Sequence, residues 1–109
     1  MENRGIAAYL AEFIGTLFLV LFICLTVSVT AAEGLTVPAL IVIALAHAIT
    51  LAMGVYALGE TSGAHFNPAV TVTLLVLRKI APAQAGVYIV MQVLGAISAA
   101  LIVRLLVVD

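Results

Sequence analysis

The stretch ETSGAHFNPAV, residues 60–70, lies between long apolar runs and is the densest cluster of polar and helix-breaking residues in the chain. Asn67 followed by Pro68 is typical of a helix start, because the asparagine oxygen accepts from a first-turn amide and proline needs no partner there. If the oxygen makes that cap, the side-chain NH₂ group of Asn67 is left as a donor for a passing molecule.

The residues before this cap can supply acceptors. Gly63 and Ala64 have small side chains, so the backbone carbonyls of Gly63, Ala64 and His65 can line the same cavity that the Asn67 amide faces. A donor and a row of acceptors together replace the hydration of a small neutral solute. The side chain of His65 fits a cavity wall or a packed interior equally well.

The sequence lacks the residue patterns that a metal site or a nucleophilic active site would need. His47 and His65 are predicted on different elements without a third ligand, so no metal site is expected. The serines and Cys24 have no base at a spacing typical of a nucleophile, and Cys24 sits among apolar residues, where a thiol behaves as a small hydrophobe. We therefore predict passive conduction, with no enzyme activity, no metal and no cofactor.

Composition identifies a membrane protein. Of the 109 residues, 66% are hydrophobic and 8% are charged, unlike a soluble globular domain. The net charge of −1 offers no basic surface, so nucleic-acid partners are excluded. The first apolar run, 6–30, is too long for a signal-peptide core and is predicted to stay in the membrane.

The apolar runs predict one membrane domain, residues 1–109, of the all-α class. About 20 helical residues cross a hydrocarbon core, and three runs reach that length. The fourth, which follows the polar stretch, is about half as long. The predicted elements are transmembrane helices 6–30, 38–58 and 82–108, a re-entrant loop 59–67, and a half-helix 68–79.

Irregular backbone at membrane depth is tolerated only when buried in protein or lining a watery cavity. The loop therefore enters from one surface, and Arg78 and Lys79 return to it, on the side that also holds Arg4. The residues predicted on the opposite side are Glu33, Arg104 and Asp109. The positive-inside rule favours a cytoplasmic N-terminus, but three cations against one is a weak bias, and insertion in both orientations stays open.

These residues resemble a known family. SGAHFNPAVT is similar to the first signature loop of the aquaporins, the major intrinsic proteins, and AEFIGTLFLV, ALAHAITLAMGVYALG and YIVMQVLGAISAA resemble that family's first three helices. The resemblance implies a channel for water and small neutral solutes in the cell membrane. It places the pore motif at Asn67, Pro68 and Ala69.

The chain resembles only one of the family's two inverted repeats, the one whose loop reads NPAV rather than NPAR. One copy alone would leave its loop facing lipid. The simplest hypothesis is an antiparallel dimer of two oppositely inserted copies with a two-fold axis in the membrane plane. Four such dimers would match the family's usual tetramer. The expected partners are thus a second copy, the bilayer and a small neutral permeant.

The resemblance also implies a selectivity filter. The position on helix two is His47, and an inverted second copy would contribute Val55, Ala64 and Val70. Without a filter arginine, this set predicts a wide constriction that passes water and also ammonia, urea or glycerol. The alternative for His47 is a core histidine bonded to a nearby carbonyl.

We also predict roles for several further residues, and for some of them a second role is possible. By the resemblance, Glu12 supports the loop, and the alternative is a pore-lining carboxylate. Glu60 is expected at the solvated mouth, or else in a pH-sensitive gate. Gln92 is expected to hydrogen-bond within the helix bundle. The glycines expected at close helix contacts are Gly15, Gly86 and Gly95.

Three other functions compete with the homomeric channel. The chain could be a non-conducting structural membrane protein, or a small exporter that uses Glu12 to carry protons. It could also be a half-channel that needs a different partner chain containing the second loop.

Overall fold

The computed structural model describes residues 5–107. They form four helices: α1 Ile6–Thr30, α2 Val37–Ser62, α3 Pro68–Val76 and α4 Pro82–Val107. Helices α1, α2 and α4 have 25, 26 and 26 residues and are long and apolar enough to cross a membrane. The predicted all-α class, with three long helices and one short helix, is confirmed.

Helix α1 is the centre of the bundle. It packs against α2 on one side and α4 on another, while the short α3 packs against α4. Of the described helices, α1 is the only one that packs along the length of α2. Accordingly, the buried residues of α2 are just Ala39 and Ser62, and most of its apolar side chains are uncovered.

Local sequence explains where the helices begin and end. Thr36 caps α2 by accepting a hydrogen bond from the Ala39 amide at 3.2 Å, and Pro38 occupies the first turn, where its missing N–H costs nothing. At the other end, Gly63 adopts a left-handed conformation with φ of +88°. Glycine reaches this conformation without a Cβ penalty and is the common helix terminator.

The boundaries differ from the predicted ones at three places, and the smallest difference is that α2 begins one residue early, at Val37. Helix α2 extends through Glu60 to Ser62 instead of ending at residue 58, because the first residue that breaks the helix is Gly63. The irregular loop is therefore 63–67. Helix α3 ends at Val76 rather than residue 79, and Arg78 takes a positive φ of 59° in the turn that follows. Arg4, the predicted last helical residue Val108, and Asp109 lie outside the described residues.

Two of the three glycines that were expected at close helix contacts, Gly95 and Gly15, do lie at close contacts. A Cβ on Gly95 would be 2.6 Å from the backbone oxygen of Phe13, so α1 and α4 approach at the level of their backbones. A Cβ on Gly15 would overlap the ring of Phe66. The expectation for Gly86 is wrong, since a Cβ there meets nothing within 4 Å and the residue is exposed on α4.

Candidate functional site

The loop between α2 and α3 has an unusual backbone. Gly63, Ala64 and Phe66 all have positive φ, at 88°, 52° and 53°. For alanine and phenylalanine the left-handed region costs roughly 1–3 kcal/mol each, and such a conformation persists only when its surroundings impose it. The loop must therefore be held by contacts outside itself.

Glu12 supplies most of those contacts. Its side chain is fully buried in the middle of the protein. One carboxylate oxygen, Oε2, accepts from the Ser62 hydroxyl at 2.6 Å and from the His65 amide at 3.1 Å. The other, Oε1, accepts from the Phe66 amide at 2.9 Å and from the Gln92 side-chain amide at 2.8 Å. Hydrogen bonds to a carboxylate are about twice as strong as neutral ones, so this arrangement fixes two consecutive loop amides.

A second layer of hydrogen bonds joins α4, α3 and the loop. Gln92 Nε2 also donates to Thr71 Oγ1 at 2.9 Å, and the same hydroxyl lies 2.9 Å from His65 Nδ1. The His65 ring packs edge-on against Tyr88, with centroids 4.9 Å apart. The His65 side chain is thus largely buried, and it also borders a small cavity of about 90 Å³, so both of its predicted alternatives stay open. Gln92 makes the expected bonds within the bundle.

Ser62 joins the end of α2 to the rest of this network. Besides donating to Glu12, its hydroxyl accepts from the Ala64 amide at 3.0 Å. Its backbone carbonyl accepts from the Tyr88 hydroxyl at 2.6 Å. Tyr88 is itself fully buried, so the hydrogen bond from α4 to the end of α2 is shielded from solvent.

Removing that hydroxyl should measurably destabilise the protein. We expect Tyr88→Phe to lower the free energy of unfolding by about 1–2 kcal/mol, because the buried Ser62 carbonyl loses a donor while the ring volume is kept. Thermal unfolding in detergent, followed by circular dichroism, measures the change. The matched control is Tyr56→Phe, since Tyr56 is 93% exposed. Equal stability of the two variants would contradict the role given to the Tyr88 bond.

Asn67 starts α3 as its cap. Its side-chain oxygen accepts from the Ala69 amide at 2.8 Å, and Pro68 occupies the first helical position, as predicted. Because the oxygen makes the cap, the NH₂ group is the part of the side chain that can serve another molecule. Asn67, Pro68, Ala69 and Val70 are all exposed. The start of α3 is therefore an open surface of the single chain.

A cavity of about 290 Å³ adjoins this surface. It brings Asn67 and Pro68 together with His47 of α2, which is also exposed. The space is large enough for several water molecules. The remaining lining residues are Thr16, Leu19, Val20, Ile23, Phe66, Gln92, Val93 and Ala96.

Two polar groups of this lining are unusual. Thr16 Oγ1 and Gln92 Oε1 are buried and have no hydrogen-bond partner within the described chain. The orientation of the Gln92 amide is fixed, because a carboxylate such as Glu12 can accept but not donate. A buried acceptor without a donor costs roughly 1–3 kcal/mol. A single described copy thus leaves two buried polar atoms next to the cavity without hydrogen-bond partners.

The other predicted site residues do not line this cavity. Val55 is exposed on α2, Val70 is exposed on α3, and Ala64 is half-buried in the loop. The assignment of these three residues to the filter of a second copy stays a prediction. Glu60 is exposed in the last turn of α2.

Some residues of the site were not predicted from the sequence. Thr16 lies one helical turn after Glu12, which places both on the same face of α1, and that spacing was a usable signal. Ser62 and Thr71 are polar residues flanking the loop, so they too could have been nominated. Nothing in the sequence singles out Tyr88 or the buried ring of Phe66, since aromatic residues are common in apolar helices.

Comparison with known proteins identifies relatives along nearly the whole chain. The family model described as major intrinsic protein matches residues 2–109. Glycerol uptake facilitator protein-like 6 of Lactiplantibacillus plantarum is 42% identical over 96 residues, which are 88% of this chain. Aquaglyceroporin-2 of Rhizophagus irregularis is 42% identical over 95 residues, or 87% of the chain. Aquaporin Z of Rhodopseudomonas palustris is 38% identical over 98 residues, or 90% of the chain.

These relatives are much longer than the chain. The aligned segment covers 42% of the bacterial glycerol facilitator-like protein, 30% of the fungal protein and 41% of the bacterial aquaporin. The chain therefore spans less than half the length of the curated relatives it matches.

Proposed function

Because the chain belongs to the major intrinsic protein family, we propose that it conducts water and small neutral solutes through a pore built from two oppositely inserted copies. Its three long apolar helices make it a multi-pass integral membrane protein. The proposed location is the cell membrane. The observation that carries the proposal is an exposed Asn67 cap, at the start of a nine-residue helix, beside a cavity that one copy leaves open.

The need for a second copy follows from what a single copy leaves uncovered. The Asn67 side chain and the irregular backbone before α3 are polar and cannot face lipid tails cheaply. Helix α2 packs one face against α1, and most of its remaining surface is uncovered. The aligned segment covers less than half of each relative, and we propose that a second copy supplies the other half of the channel. Four such dimers would form the proposed larger assembly.

Inverting the second copy brings the two α3 N-termini together near the membrane centre. Each helix N-terminus carries about half a positive charge, so cations and protons are repelled there. The Asn67 side chains of the two copies donate to a permeant at this midpoint. These hydrogen bonds reorient a permeating water relative to its neighbours in the passage. The chain of hydrogen-bonded waters along which protons could move is thereby interrupted. Pro68 and Ala69 form the contact between the two motifs.

The approach to this midpoint uses backbone acceptors. We assign the carbonyls of Gly63, Ala64 and His65 to the wall of the passage. The network around Glu12 supports this assignment, because it holds the loop in a conformation that its alanine and phenylalanine would not adopt alone. In this account Glu12 positions the loop and does not touch the permeant. Glu60 lies at the solvated mouth.

The narrowest filter combines the two copies. His47 of one copy faces Val55, Ala64 and Val70 of the second, and symmetry places one such filter at each mouth. His47 is exposed and shares a cavity with Asn67, which supports a place along the passage rather than in the core. With three small apolar residues and no arginine, the filter passes water and also ammonia, urea or glycerol. Two relatives carry glycerol in their names.

Replacing His47 should change which solutes pass. We expect His47→Ala to raise the ratio of glycerol to water permeability by about threefold or more, because a bulky hydrogen-bonding side chain leaves the filter. Stopped-flow swelling of proteoliposomes measures both permeabilities. Ile49→Ala, on an exposed position of α2 away from this cavity, is the control. An unchanged ratio in the His47 variant would remove His47 from the filter.

Contacts of Glu12 also favour the channel over a proton-driven exporter. An exporter needs a carboxylate that reaches water and releases its proton, whereas the Glu12 side chain is fully buried and receives four hydrogen bonds. A half-channel that pairs with a different chain keeps the same site but needs that chain to conduct. A structural protein without conduction needs no open cavity at Asn67.

Reconstitution of the purified chain alone separates these functions. A homomeric channel accelerates the osmotic shrinkage of liposomes without any ion gradient. A structural protein, or a half-channel that needs another chain, leaves the shrinkage at the rate of empty liposomes. An exporter moves its substrate only when a proton gradient is imposed. Shrinkage no faster than that of empty liposomes, with correctly folded protein in the membrane, would overturn the proposed function.

A further inference from the structure

The Phe66 ring lies between α1 and α2, directly before the capping residue Asn67. A Cβ added to Gly15 of α1 would overlap the Cδ1–Cε1 edge of the ring. A Cβ added to Gly54 of α2 would stand 2.8 Å from Cε2, on the opposite edge. The ring is 3% exposed. It therefore fills a slot that exists because both helices have glycine at that level.

This ring connects α2 to the loop on the side of the candidate passage. No described helix other than α1 packs along α2, and α4 reaches only its end, so neither α3 nor α4 sets the distance between the middle of α2 and the loop. The Ser62 hydrogen bonds hold only the end of α2, two turns beyond Gly54. At the level of Gly54, the Phe66 ring is the side chain that fills the space between α2 and the loop.

The position of the ring is itself fixed. The Phe66 amide donates to Glu12 at 2.9 Å, and the backbone holds a positive φ of 53°. Phe66 also lines the cavity that contains His47 of α2 and Asn67 of the loop. A change in ring size, or a methyl group on either glycine, therefore changes the space between those two polar side chains.

We infer that Phe66, seated between Gly15 and Gly54, is a specificity-determining residue that sets the width of the passage between His47 and Asn67. The inference rests on the proposed channel function and concerns which solutes that channel admits. A smaller side chain at 66 removes volume from the passage wall, so larger neutral solutes pass more readily. A methyl group at 54 meets Cε2 while Gly15 closes the opposite edge, so the ring is displaced out of its slot towards the cavity that it lines, and the passage narrows.

Opposite changes at the two positions test this mechanism. In proteoliposomes, Phe66→Leu should raise the ratio of glycerol to water permeability by about threefold or more, or make glycerol entry measurable where the wild type shows none. Gly54→Ala should lower the ratio by a similar factor. The double variant Gly54→Ala/Phe66→Leu should return to within about twofold of the wild type, because the added methyl group meets the space left by the ring.

Two glycines of α4 provide matched controls. Gly86→Ala adds a methyl group in open space and should leave the ratio unchanged. Gly95→Ala forces α1 and α4 apart at the Phe13 carbonyl, and adding Phe66→Leu should not rescue it. Circular dichroism and gel filtration of each variant identify any that fails to fold. Phe66→Met, a flexible side chain in the same slot, replaces Phe66→Leu if that variant does not fold.

The outcomes separate this inference from the proposed function. Opposite shifts with rescue in the double variant support the specificity role of Phe66. A conducting wild type whose permeability ratio stays the same in Phe66→Leu and Gly54→Ala overturns the inference and leaves the channel intact. A wild type that conducts nothing overturns the channel, and the inference with it. Rescue of Gly95→Ala by Phe66→Leu would show a general packing effect and would also overturn the specificity role.

Discussion

Glu12→Gln should abolish conduction and lower the free energy of unfolding by about 1–3 kcal/mol, the cost of leaving a buried backbone amide without an acceptor. Four donors converge on the two carboxylate oxygens. Glutamine turns one oxygen into an NH₂ group that cannot accept. The Ser62 hydroxyl and the Gln92 amide can reorient, but the backbone amide of either His65 or Phe66 then loses its acceptor. The strained loop is no longer held.

Thermal unfolding in detergent measures the first effect, and shrinkage of proteoliposomes measures the second. Glu33→Gln is the matched control, because Glu33 is exposed in the link between α1 and α2 and the substitution removes the same charge. We expect that control to stay within about 0.5 kcal/mol of the wild type. Wild-type stability together with wild-type water flux in Glu12→Gln would show that the loop does not depend on this carboxylate.

The second large effect is expected at Asn67. Asn67→Asp keeps a side-chain oxygen for the Ala69 amide, so α3 retains its cap. It replaces the NH₂ donors by an anion at the point where two helix N-termini repel cations. We expect water permeability to fall by about tenfold, which corresponds to about 1.4 kcal/mol in the barrier. A proton or sodium leak should appear in liposomes loaded with a pH or sodium dye.

The variant Asn67→Ala distinguishes the effect of losing the NH₂ donor from the effect of adding a negative charge. It removes both the cap and the NH₂ group without adding an anion, so water flux should fall while no cation leak appears. The lost cap should cost about 1 kcal/mol of stability. If Asn67→Asp conducts water at the wild-type rate and stays tight to protons, Asn67 is only a helix cap and lies outside the passage.

Much of the fold was accessible from the sequence because its signals are local. Runs of apolar residues of membrane-spanning length predicted α1, α2 and α4, and the asparagine-proline pair predicted where α3 begins. The end of α2 was placed too early, since Glu60 and Ser62 were read as loop residues on polarity alone. Polar residues do not stop a helix when a glycine that can adopt the left-handed conformation follows them. Gly63 carried that signal.

The site was only partly accessible, because its contacts join distant parts of the chain. The resemblance assigned Glu12 to the loop, and the Asn67 cap needed only neighbouring residues. The bond from Gln92 to Glu12 joins positions 80 residues apart, and periodicity within one helix cannot reveal its partner. The Phe66 slot likewise depends on glycines of two other helices. Gly86 shows the converse, since a glycine in an apolar helix does not by itself mark a contact.

The orientation of single copies in a native membrane tests the antiparallel dimer most directly. In a Cys24→Ala background, Glu33→Cys places one thiol in the exposed link between α1 and α2. A membrane-impermeant thiol reagent is applied to intact cells, and the labelled fraction is compared with that after permeabilisation. Two oppositely inserted copies predict that about half of the molecules label from outside. Labelling of all molecules, or of none, before permeabilisation would contradict the antiparallel dimer.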